Sequence, residues 1–173
     1  AQQVRVFGGT VEKYAGDAVM AVFGIPISHE DDALRAARAA LDIRTAVAVL
    51  NERLVDAHGV GLEIRIGLES GEVVTTPAET RQRLVTGEAV GIASRLEQAA
   101  GADEIVVGEL AGRLIDHAAL LEPLGELRLK GKREPLRAFR LHELEPVSPA
   151  FECRLRASPV DHKRELAALL QTW

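Results

Sequence analysis

The sequence has little of what several functional classes require. One cysteine in 173 residues, Cys153, cannot close an internal disulfide, and its Glu152 and Arg154 neighbours offer no metal-ligand spacing. It reads as a spectator thiol in a reducing compartment. Aromatic residues make up 3% of the chain, leaving few platforms on which the bases of a single strand could stack. Positive charge is not in excess: 21 Lys plus Arg against 26 Asp plus Glu leave a net charge of −5 with histidines neutral, which excludes a basic nucleic-acid arm. Long apolar runs are also missing. The most apolar stretch, Ala18 to Ile27, is broken by Gly24 and Pro26 and falls short of the roughly 20 residues that cross a bilayer. Ala1 to Phe7 lacks the charged-then-apolar layout of a signal peptide. The expectation is a cytoplasmic protein that contacts neither membrane nor nucleic acid.

What remains is globular. Hydrophobic residues are 47% and charged residues 27% of the chain, and the length suits one domain of roughly 100–200 residues with an appendage. Its core must rest on Ala, Val, Leu and Ile. Thr10 to Tyr14 and Ala18 to Phe23 read as a hairpin joined through Ala15, Gly16 and Asp17. Ser28 with Asp31 has capping-box spacing and predicts a helix start. Leu34, Ala37, Leu41, Val47, Leu50 and Leu54 then share one helical face, and the helix closes near His58 and Gly59.

Leu62, Ile64, Ile66 and Leu68 alternate with polar or small residues, predicting a strand that continues past Gly71 to Val74. Residues 75–83 read as a loop before an extended piece at Leu84 to Thr86, and Gly87 opens a second helix through Ala100. Glu104 to Val107 predicts a strand and Glu109 to Ile115 a short helix. Leu120 to Leu124, Leu127 to Leu129 and Leu136 to Leu144 read as closing strands, with a turn at Lys130 to Arg133. Hairpins among the alternating elements favour an α/β fold of the sandwich type, a mixed sheet with helices packed on it. Residues 145–159 carry Pro146, Pro149 and Pro159 without periodicity and read as a linker, and His162 to Trp173 resumes helical character.

Gly8 to Gly24 reads GGTVEKYAGDAVMAVFG, and Pro26 and His29-Glu30-Asp31-Asp32 follow it. With Arg65-Ile66-Gly67, Ser70-Gly71-Glu72-Val73-Val74, the run Thr86 to Glu97 and Leu129-Lys130-Gly131-Lys132, this segment resembles the class III adenylate/guanylate cyclase catalytic domain. The resemblance implies a ferredoxin-like cyclase fold over residues 1–144, lacking the family's first strand and helix, and conversion of ATP to 3′,5′-cyclic AMP and pyrophosphate in intracellular signalling, with this fragment expected to be inactive. Ser158 to Leu170 looks like the start of a signalling ATPase domain, although Asp161 and His162 stand where that family carries Gly-Arg.

Cyclisation needs a ribose 3′ oxygen held in line with the α-phosphorus, and charge stabilised on phosphoryl oxygens. Hard divalent cations, Mg²⁺ or Mn²⁺, do this when carboxylates hold them. By resemblance Asp17 is the family's second metal-binding aspartate; the first lies upstream of Ala1. The alternative for Asp17 is an aspartate that satisfies turn amides. Lys13 matches the base-reading lysine of adenylate-type members, and its ammonium, a donor only, suits adenine N1 rather than guanine N1–H. It also fits an exposed strand lysine. The companion base-reading position is Leu84, which cannot accept from the adenine amino group.

Arg95 matches the transition-state arginine, whose planar charged fork suits phosphoryl oxygens. One turn earlier the family has a ribose-orienting asparagine and this chain has Gly91. Arg95 is otherwise an ordinary helix arginine. Lys130 matches a lysine directed at the terminal phosphates, or belongs with Lys132 to a solvated turn. The family builds its site between two protomers, so the implied partners are ATP, a second copy or paired cyclase domain, and the downstream ATPase domain. The rival reading is a degenerate cyclase-homology module for dimerisation or nucleotide sensing, favoured by Leu84 and Gly91. A diguanylate cyclase of the same broad architecture is a third reading and fares worse, because the sequence has no Gly-Gly-Asp/Glu-Glu-Phe hairpin.

Overall fold

The computed structural model describes residues 1–75, 85–127 and 135–145. Within them run α1 (Gln2–Val6), β1 (Thr10–Ala15), β2 (Ala18–Val22), α2 (Asp32–His58), β3 (Arg65–Leu68), β4 (Val74–Thr75), β5 (Val85–Thr86), α3 (Glu88–Ala99), β6 (Glu104–Gly108), α4 (Glu109–Ile115), β7 (Ala119–Leu127) and β8 (Leu136–Leu144). The main sheet has the order β3-β6-β8-β7. β3 and β6 are parallel while β6, β8 and β7 pair antiparallel, so the sheet is mixed, as its sequence leads one to expect. The β1–β2 hairpin and the β4–β5 pair are separate two-stranded sheets.

Side-chain alternation along β6 sets the layers. Ile105 and Val107 pack with Leu34, Ala37 and Ala40 of α2, with Ala111 and Ile115 of α4, and with Leu141 of β8. Val106 points the other way, into Ile92, Leu96 and Ala100 of α3 and Ala138 of β8. Each fully buried Leu, Ile or Val among them contributes about 1.5–3 kcal/mol. The sheet is therefore held between α2 with α4 on one face and α3 on the other. Gly67 of β3 allows that close fit, because a Cβ there would run into the Ala93 carbonyl oxygen and lie 2.5 Å from the Glu97 amide nitrogen of α3.

Several expectations need correction. Ser28 does not cap α2. The helix starts at Asp32, and the Asp32 carboxylate instead accepts a hydrogen bond from the His29 amide at 2.6 Å, closing a turn over residues 29–32 at the helix start. The α2 helix does end on left-handed Gly59, whose amide reaches the Val55 carbonyl. The apolar face of α2 is covered only in its first half: Leu34 is 7% exposed and Leu50 is 42% exposed.

The strand expected from Leu62 starts only at Arg65. Ahead of it the Asn51 side chain takes both backbone groups of Leu62, at 2.7 and 2.8 Å, and so replaces a ladder partner. Val74 belongs to β4 in a different sheet, not to a continuation of β3. The strand expected at 120–124 is longer, β7 running from Ala119 to Leu127, and its register shift between Pro123 and Gly125 absorbs the proline; residues 128–129 of the next expected strand lie outside the described residues. Helix α1, with Val4 buried, has no counterpart in the sequence reading. The turn expected at 130–133, the linker beyond Glu145 and the C-terminal helix lie outside the described residues.

Candidate functional site

The hairpin places two candidates together. β1 and β2 pair from Thr10 with Val22 to Ala15 with Ala18, leaving Gly16 and Asp17 as a two-residue loop. Gly16 has φ of 66° while Asp17 does not take positive φ, the combination of a type II′ turn, whose twist matches the strands it joins. Asp17 is exposed at the tip. Among the described residues its carboxylate has no hydrogen-bond or ion-pair partner, so it does not serve the turn amides.

Lys13 is exposed on β1, opposite Met20. It stands directly after an irregularity: Val11 pairs with Ala21 and Lys13 with Met20, so Glu12 is an extra residue in the strand. Such bulges bend a strand and re-aim its side chains. The Glu12 Oε1 accepts a hydrogen bond from the Val85 amide at 3.2 Å, tying β1 to the strand that leads into α3.

Arg95 is half-buried on α3, flanked along the helix by the buried Ile92 and Leu96. Its own α3 neighbour one turn earlier, Gly91, faces open space: a Cβ there meets nothing within 4 Å. Lys130 and Leu84 lie outside the described residues. The structure thus sets Lys13 and Asp17 on one hairpin and Arg95 on the helix that follows β5.

Sequence reasoning missed Glu12 and Glu69. The clue for Glu12 was the adjacent polar pair Glu12-Lys13, which breaks the alternation of β1. Glu69, just past β3, is half-buried, and its Oε1 accepts from the Ser70 amide at 2.8 Å and the Ala111 amide at 3.2 Å, capping the start of α4. Burial pushes its carboxyl above the ordinary range, against the pull of those two amides. No sequence signal marked that role, since Ala111 lies 42 residues away.

For a divalent cation the donor set is small. Among the described residues no group of three or more His, Cys, Asp or Glu could hold a metal ion. A single exposed carboxylate does not make a resident ion site, but its hard oxygens fit a cation that arrives on a triphosphate. Two shallow grooves, of about 410 Å³ beside Asp42 and Thr45 and about 680 Å³ beside Asn51 and Asp56, contain none of the candidates. Among the described residues no helix is long and apolar enough to cross a membrane.

Comparison with known proteins bears on this arrangement directly. The family model of the adenylate and guanylate cyclase catalytic domain matches residues 7–143. The chain belongs to this family. An adenylate cyclase of Mycobacterium tuberculosis is 35% identical over 123 residues, which are 69% of this chain and 27% of that protein. The human guanylate cyclase soluble subunit beta-2 is 26% identical over 151 residues, 86% of this chain and 24% of that protein. The cyclase chain described here thus spans about a quarter of the length of the curated relatives it matches. The adenylyl cyclase CyaB from P. aeruginosa superposes on it with a TM-score of 0.76 at 29% identity, covering 82% of this chain and 76% of that one. The mixed sheet with helices on it is the fold of that cyclase domain.

Proposed function

We propose that this cyclase domain converts ATP to 3′,5′-cyclic AMP and pyrophosphate at a site shared with a second copy or a paired cyclase domain. The ribose 3′ oxygen forms a bond to the α-phosphorus, the bond from that phosphorus to the β-phosphate bridging oxygen breaks, and the 3′ hydroxyl proton passes to solvent. Mg²⁺ or Mn²⁺ carried in on the triphosphate neutralises charge on its oxygens, and Asp17 is the residue that would hold it. Asp17 of one copy faces Lys13 and Arg95 of the other, and that Lys13 donates to adenine N1, which selects ATP over GTP. Arg95 directs its fork at the phosphoryl oxygens, where charge develops during the reaction, and Lys130 is assigned to the terminal phosphates. The domain works in the cytoplasm as a signalling enzyme, and residues 145–159 link it to an ATPase domain that starts at residue 160.

The observation that carries this reading is the Asp17 carboxylate, exposed at the tip of a tight turn and without a partner among the described residues, with Lys13 on the same hairpin. One observation favours a second reading. Gly91 leaves open space where the family has an amide that orients the ribose, which suits a nucleotide-sensing or dimerisation module without turnover. Incubation with MgATP, MnATP or MgGTP, with product and binding read separately, decides between them. Cyclic AMP from ATP supports the enzyme; binding without product supports the sensor; no binding of any nucleotide refutes the enzyme and the sensor and leaves a dimerisation module alone.

A further inference from the structure

Resting on that reading of Lys13 and Arg95, we infer that Glu12 is a positioning residue that fixes the base-reading lysine relative to the phosphate-binding helix. The hairpin carrying Lys13 and the β4–β5 pair preceding α3 belong to different sheets, so among the described residues no backbone ladder sets their spacing. The hydrogen bond from the Val85 amide to Glu12 Oε1, 3.2 Å long, bridges them across 73 residues of sequence. Both of its ends are well placed for the task. Glu12 is the bulged residue immediately before Lys13, and Val85 is 3% exposed, three residues ahead of the α3 N-terminus at Glu88.

A buried amide left without an acceptor is costly, so this carboxylate is favoured against β5. A nucleotide has a fixed reach between base and phosphates. If the hairpin shifts against α3, Lys13 and Arg95 cannot both engage it, and the base contact, which needs a position held to about half an ångström, is lost first. Glu12 itself touches no substrate in this account. Its effect is on selectivity, through Lys13.

The test compares the wild type with Glu12→Ala and Glu12→Gln, whose amide oxygen can still accept from Val85. Hydrogen exchange at the Val85 amide reads the link without any ligand, and titration with MgATP and MgGTP reads base selectivity. Glu12→Ala is expected to speed Val85 exchange by about tenfold, the worth of one hydrogen bond to a buried amide, and to lower the ATP-to-GTP preference by a similar factor. Glu12→Gln is expected to restore both. Unchanged Val85 exchange in Glu12→Ala overturns the link. Faster exchange with both nucleotides weakened equally overturns the positioning role and leaves Glu12 a structural residue. A wild type that binds neither nucleotide refutes the reading of the site on which the inference rests.

Discussion

Replacing Gly67 by alanine tests how closely the candidate site depends on the packing beneath it. The added methyl would meet the Ala93 carbonyl oxygen and stand 2.5 Å from the Glu97 amide nitrogen, both on the backbone of α3. Ordinary contact between such atoms is about 3.5 Å, and the Ala93 oxygen is the nearer obstacle, so the helix must retreat by at least about 1 Å or β3 must yield by as much. Neither neighbour is a flexible side-chain end that can swing away. Overpacking of this kind typically costs about 1–3 kcal/mol, and two backbone obstacles place Gly67→Ala in the upper half of that range. Urea unfolding should then show a midpoint lower by about 1 M at the usual slope for a domain of this size. Arg95 sits between Ala93 and Glu97 on the same helix, so a displacement of about 1 Å should also cut turnover by about a hundredfold. A Gly67→Ala protein with wild-type midpoint and wild-type nucleotide response would refute the packing argument.

The other expectations concern sites with different physics. Gly91→Ala on the same helix should stabilise the protein by about 0.5–1 kcal/mol, because a Cβ there meets nothing within 4 Å and alanine loses less backbone entropy; a lowered thermal midpoint would contradict this. Glu69 gives a pH dependence. Its carboxyl is raised above the ordinary range in the folded state, so the stability it contributes is present in full below its unfolded pKa and is lost as pH rises through its folded pKa. Wild-type stability should therefore fall relative to Glu69→Gln as pH rises above the ordinary carboxylate range of about 4, and a gap that stays constant or runs the other way refutes the assignment. Asn51→Ala should cost about 1–2 kcal/mol through the two bonds to Leu62, read as a lower denaturation midpoint and faster exchange of the Leu62 amide.

Local pattern made much of this architecture legible. The α3 and α4 helices were marked by glycines and short apolar spacing, and their sequence boundaries match Glu88–Ala99 and Glu109–Ile115 to within a residue. The hairpin was legible because Gly16 and Asp17 sit between two β-rich runs. What the pattern could not carry was non-local. The start of β3 depends on Asn51 of α2 occupying Leu62, and the α2 start depends on Asp32 turning back onto His29. The exposed second half of α2 followed the same rule, since helical periodicity marks a face but not what covers it.

The site divides in the same way. Asp17, Lys13 and Arg95 were identified from motif resemblance, and the structure sets the first two on one hairpin. Glu12 was hidden, because a bulge and a partner 73 residues distant leave almost no local mark.

The account's central claim is that Asp17 of one copy and Arg95 of another serve one triphosphate. The most direct measurement is cyclic AMP formation from MnATP by Asp17→Ala, by Arg95→Ala and by their equimolar mixture. In a twofold dimer each substitution alone silences both sites, whereas a mixed dimer keeps one intact site. Half of the randomly reassorted dimers are mixed, so the mixture should recover about one quarter of wild-type activity. A mixture no more active than the single variants, or a single variant as active as the wild type, would contradict the claim.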